Sequence, residues 1–183
     1  MDGSTAHYTY GMEDKIMESK VKLFGHPIHP MLIVFPLGLL AIAVIFDIIR
    51  MFTNNDILAT VAFWNIAAGV IGGLLAAVFG FLDWINIPAG TRAKQIGLLH
   101  GGGNVVVVAL FAVSWLLRLN APDYVPDTLA FTLALVGVLL ALVTGWLGGE
   151  LVDRLGVGID EGANLDAPSS LSRPQAQVVD ERA

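Results

Sequence analysis

Four long apolar runs decide what this chain can fold into. They are Met31–Phe52, Leu58–Ile85, Leu98–Leu119 and Thr128–Leu151, each nearly free of charge. A helix of about 20 residues crosses a hydrocarbon core of about 30 Å, so every run is long enough. Lipid offers the backbone no hydrogen-bond partner, which favours helices in runs as continuously apolar as these. Only 14% of the residues are charged, against about 25% in soluble domains, and the deficit lies in these runs. The first run is not a signal peptide, because it starts late, holds Pro36 and lacks a small-residue cleavage site. The expected fold is all-α: one four-transmembrane-helix bundle over residues 23–159, between a polar segment 1–22 and a disordered tail 160–183.

Charge sets the expected orientation. Lys15, Lys20, Lys22, Arg92, Lys94, Arg154, Arg173 and Arg182 fall on the side shared by both termini and the middle loop, and Arg50 and Arg118 fall on the other. The positive-inside rule then predicts a multi-pass protein of the inner membrane with both termini cytoplasmic. The chain has no cysteine, which excludes disulfides, thiolate metal sites and cysteine nucleophiles. Its net charge of −6 comes from tails and loops. No basic stripe exists, so nucleic acid is not an expected partner.

Local signals refine the bundle. Met12, Ile16, Ser19 and Leu23 recur at helical spacing and predict a short interfacial helix; His7 reads as a tail histidine. Pro27 and Pro30 fit a first helical turn, whose N–H groups have no intrahelical partner. Pro36 predicts a kink. Asp47 and Arg50, at i,i+3, predict an ion pair. Ridges of small residues (Ala68, Gly72, Ala76, Gly80; then Gly137, Ala141, Gly145, Gly149) predict close helix contacts, usable within the bundle or in a homodimer. Asn65 and Asn104 are expected to bond between helices, and Trp64, Trp84, Trp115 and Trp146 to form interfacial belts. No internal duplication is expected.

The candidate site lies at the end that carries the termini. His26 and His29 in GHPIHP, His100 in LLHGGG, Asp83 in GFLDW and Glu150 in GWLGGE share that end, and they include three of the four histidines. Ionisable groups near the bilayer core are costly, so their convergence suggests function. One chemistry is haem b held by His29 and His100 from two helices, with Gly101–Gly103 admitting a flat macrocycle and His26 on a propionate. A second is a divalent metal (zinc, iron, manganese or copper) on His26, His29, His100 and Asp83 or Glu150. A third is proton or quinone handling by Asp83 and His100. The alternative is a structural ring that caps helix ends.

The runs GHPIHP, GFLDW, IPAGTRA, LLHGGGN and GWLGGELVDRLGVGI resemble a family of bacterial four-span inner-membrane proteins, domain of unknown function 2231, over about residues 23–160. The resemblance implies a prokaryotic source and a four-helix membrane bundle with no established activity. Its characteristic positions are His26, His29, Asp83, His100, Gly149 and Glu150. Asp153 stands here where relatives often carry an aromatic residue. Some relatives look to be joined to a Rieske-type iron–sulfur domain, which implies an electron-transfer setting. In this chain a Rieske-like protein or a cytochrome would be a separate partner.

Overall fold

The computed structural model describes residues 16–172. The reading of His7, of Met12 and of residues 173–183 lies outside them. Four helices are long and apolar enough to cross a membrane. A short first helix α1 (Ile28–Leu32) leads into α2 (Val34–Thr53), followed by α3 (Asp56–Asn86), α4 (Arg92–Arg118) and α5 (Thr128–Gly149). Side chains close the exposed helix starts. Asn55 accepts from the Ile57 N–H, Thr91 from Lys94 and Asp127 from Ala130, each satisfying a donor that has no intrahelical partner.

Pro27 is the N-cap of α1, so His29 sits in the first turn. The helix breaks at Ile33, three residues before Pro36, because a proline ring displaces the carbonyl one turn back. The far end of the last span loosens into a π-type turn over Glu150–Arg154, with Leu155 N–H donating to the Glu150 carbonyl at 3.2 Å.

Glycine brings the helices together. The Cβ that Gly69 lacks would stand 2.6 Å from Leu40, and that of Gly137 2.8 Å from Phe111. The dry centre is Leu40, Ala43, Val44, Ala62, Ile66, Val107, Phe111 and Ala134. Large apolar side chains such as Phe35, Phe52, Ile71, Leu98, Leu142 and Trp146 point outward, as lipid-facing positions do. Trp115 departs from the expected belt. It packs against the core and stacks on Phe63, which stacks on Tyr124.

Residues 16–23 are not the expected interfacial helix. Met17 bridges Val157, the Gly158 N–H donates to the Met17 carbonyl at 2.6 Å, and Lys22–Leu23 (β1) pairs with His26–Pro27 (β2). This strap and the turn after the last helix together cover the terminal end of the bundle. Residues 160–172 run as turns without helix or strand.

The expectation of no duplication also fails. The bundle is two helical hairpins, α1–α2–α3 and α4–α5, built alike. His29 matches His100, Leu40 matches Phe111 and Asp47 matches Arg118, all 71 positions apart. On the second helices Gly69 matches Gly137, Ala76 matches Thr144 and Gly80 matches Gly148 at one common offset. The matched residues make matched contacts: Leu40 on Gly69 and Phe111 on Gly137, His29 on Gly80 and His100 on Gly148. First helices of both hairpins run the same way, so this is a parallel repeat.

Candidate functional site

Each hairpin aims one imidazole at the centre of the bundle. His29 Nδ1 donates to the Ala76 carbonyl at 2.9 Å, and His100 Nδ1 donates to the Thr144 carbonyl at 2.8 Å. A carbonyl only accepts, so the proton of each neutral ring is on Nδ1. Nε2 of both rings is therefore a bare lone pair. The ring centroids are 6.3 Å apart and the planes cross at 88°.

Glycine makes the space for this arrangement. A Cβ on Gly80 would lie 2.8 Å from His29 Cε1, and one on Gly148 would lie 3.0 Å from His100 Cε1. Both glycines sit one turn beyond the carbonyl that fixes the ring.

The His100 side has an extra polar layer. Asn104 Nδ2 donates to the His100 carbonyl at 2.9 Å and lies 3.3 Å from His100 Nε2. The Thr144 hydroxyl donates to Asn104 Oδ1 at 2.9 Å, which fixes the orientation of the amide. Asn104 thus bonds between helices as expected; no such bond is found for Asn65 among the described residues.

The other three candidates are engaged elsewhere. His26 is exposed on β2, with Nε2 3.3 Å from Ser170 Oγ. Asp83 accepts from the buried Ser19 hydroxyl at 2.6 Å rather than pairing with His100. Glu150 is held by Arg92 at 2.5 Å. Among the described residues no three histidine or carboxylate groups come together as a metal-binding set. The structure thus joins His29 to His100 and separates His26, Asp83 and Glu150 from them. Gly101 and Gly102 face away from neighbouring side chains, and only Gly103 makes a helix contact, against Thr144.

The opposite end of the bundle holds a pair that the sequence reading misassigned. Asp47 pairs not with Arg50 but with Arg118, through two bonds of 2.9 and 2.7 Å, and both side chains are fully buried. Arg118 also donates to Ser114 at 3.3 Å. Arg50 turns outward to Asp56 at 2.8 Å. An i,i+3 partner is within reach along the helix. A fully dry carboxylate, however, gains more from a bidentate guanidinium than from a single exposed contact.

The signal that would have found the matched pairs was in the sequence. Thr60, Ala62 and Phe63 reappear as Thr128, Ala130 and Phe131; Gly69 and Val70 reappear as Gly137 and Val138; and Leu74 and Gly80 reappear as Leu142 and Gly148, at one spacing.

Comparison with known proteins agrees with the fold. Residues 25–161 match the family described as "Predicted membrane protein (DUF2231)", which covers most of the chain, and the protein belongs to that family. No curated protein sequence and no solved structure matches it.

Proposed function

We propose that this member of the DUF2231 family binds haem b between His29 and His100 and takes part in membrane electron transfer. The neighbouring imidazoles, each tied at Nδ1 to a backbone carbonyl so that Nε2 keeps its lone pair, support this reading best. Fixing one ring nitrogen on a carbonyl is how proteins orient a ligating histidine and raise its basicity.

Ligand number favours haem over a bare ion. A structural zinc site draws four protein ligands and a catalytic one draws three. Here only two converge, and a macrocycle would supply the other four nitrogens. When bound, haem would supply reversible one-electron chemistry. The protein would hold it, keep water out and set its potential through the two imidazoles. By the positive-inside rule the site would lie at the cytoplasmic face of the inner membrane, where a separate Rieske-like or cytochrome partner would dock.

A second reading is favoured by the engaged carboxylates. Asp83 on Ser19 and Glu150 on Arg92 tie helix ends to the covering segments, so the polar ring would serve only to close the bundle.

The test is the visible spectrum of detergent-purified protein, before and after dithionite, with elemental analysis. A Soret band and split α/β bands on reduction are expected. His29→Ala or His100→Ala should remove that six-coordinate signature while the helices remain. Stoichiometric zinc, iron or manganese in a colourless sample would move the assignment to a bare metal. A colourless, metal-free sample, still empty after haem and metals are offered, would leave the structural reading.

A further inference from the structure

At the end of the bundle opposite the histidines, a cleft of about 200 Å³ opens between the last turn of α2 and the first turn of α5. These helices belong to different hairpins. Arg50 and Met51 line the cleft on one side, and Asp127 and Phe131 on the other. Asp47 also lines it, fully buried, with both carboxylate oxygens taken by Arg118. That pair is closed and neutral, so any ligand must be read by Arg50 and Asp127.

Each of these two side chains keeps one valence in hand. Arg50 spends Nε and Nη2 on Asp56, at 2.9 and 2.8 Å, and its Nη1 donates to nothing among the described residues. Asp127 spends Oδ1 on the Ala130 N–H at 2.7 Å, and its Oδ2 accepts from nothing among the described residues. The cleft therefore offers a cationic donor on one wall and an anionic acceptor on the other. Its surroundings are apolar: Met51, Phe52 and Leu129 are exposed there, as lipid-facing side chains are. A ligand that suits this place has an apolar body, an anionic oxygen for Arg50 and a cationic N–H for Asp127.

We propose that this cleft binds the phosphoethanolamine headgroup of a membrane phospholipid. Arg50 Nη1 donates to a phosphate oxygen, and the ammonium donates to Asp127 Oδ2. A choline headgroup has no N–H to give Asp127, and a glycerol headgroup has no positive charge to offset it. The lipid bridges α2 and α5, and so joins the two hairpins beside the Asp47–Arg118 pair. The site is independent of the histidine pair and of what that pair binds.

Native mass spectrometry of the full chain in detergent, titrated with one lipid at a time, tests this. The probes are phosphatidylethanolamine, phosphatidylcholine and phosphatidylglycerol with identical acyl chains. Wild type should half-saturate with phosphatidylethanolamine at about one tenth of the concentration the other two need, the worth of a charged hydrogen bond. Asp127→Asn, which keeps an oxygen for the Ala130 N–H, should abolish that preference. Arg50→Gln should weaken all three lipids and keep their order. Three lipids held alike by wild type overturn the proposal, since contact with the general lipid shell makes no such distinction; this comparison needs no variant to fold. A preference unchanged in both Asp127→Asn and Arg50→Gln also overturns it. Soluble O-phosphoethanolamine that displaces the lipid at equal concentration overturns the lipid assignment and makes the ligand a free phosphomonoester.

Discussion

The two hairpins share one plan and a small set of matched residues, and differ at most other positions. Each puts a histidine at its terminal end, a carbonyl and a glycine one turn apart to hold it, and a large apolar side chain on a second glycine at mid-height. They differ where Asp47 faces Arg118, where Pro36 breaks the first helix but α4 runs straight, and where Asn104 and Thr144 replace Ile33 and Ala76. The shared features build the scaffold and centre the two imidazoles. The differences join the halves and make the two imidazoles unequal. A duplicated hairpin thus produces a near-symmetric site, and departures from symmetry are the places to look for function.

The largest effect should come from the joint between the halves. Asp47→Ala or Arg118→Ala leaves one buried charge without its partner and should cost about 3–5 kcal/mol. Thermal unfolding in detergent measures this. The double change Asp47→Leu with Arg118→Met should recover most of the loss, and exchanging the two charges should recover part of it. Single variants as stable as wild type would mean that the pair does not join the hairpins.

Next comes the matched packing at mid-height. Phe111→Ala should cost about 3–5 kcal/mol and Leu40→Ala about 2–5 kcal/mol, because each opens a cavity over its glycine. Phe111 is fully buried and Leu40 is 5% exposed, so the second hairpin should suffer more. The opposite order would break the equivalence.

The glycines under the imidazoles should be less costly to stability and more costly to the site. Gly80→Ala and Gly148→Ala force a Cβ against His29 and His100. Overpacking of this kind costs about 1–3 kcal/mol, partly offset by the better helix propensity of alanine. The expected result is a small fall in melting temperature and, on the proposed haem reading, loss of haem loading, the closer contact at Gly80 making it the worse variant. If haem loading is retained in both, the glycines are not shaping the site.

The smallest effect belongs to the cover. The Lys22 ammonium hydrogen-bonds Asp160 and lies 3.2 Å from Glu18. That hydrogen bond holds the Asp160 carboxyl below its ordinary range and raises Lys22 above its own. The Asp160 contribution is therefore present above about pH 4 and is lost as pH falls through the lower folded value. The Lys22 contribution is lost only in strong alkali. Both groups are solvent-accessible, so the effect on global stability is slight. The protection factor of the Gly158 amide, taken relative to intrinsic exchange at the same pH, should fall in acid, and Asp160→Asn should reproduce this at neutral pH. No change in either would show that the ion pair does not hold the strap.

Residue chemistry made part of this molecule legible in advance. His29 and His100 stood out because ionisable groups are rare near lipid, and Pro27 and Pro30 fixed where the first helix could begin. The Asp47–Arg50 reading failed because spacing along one helix ranks only local partners, whereas Arg118 comes from another hairpin. Asp83 was assigned to His100 for nearness in the chain, and Ser19 reached it through a strap whose path no periodicity reveals.

By itself the sequence determined the membrane setting, the number of spans and the end at which the titratable residues gather. These follow from run length, from the cost of charge in lipid and from the need to satisfy backbone hydrogen bonds within each span. Only the tertiary structure decided which of those residues meet. Partner choice depends on helix rotation and crossing, set by glycines such as Gly69, Gly80, Gly137 and Gly148, which let particular side chains reach the centre and exclude the rest.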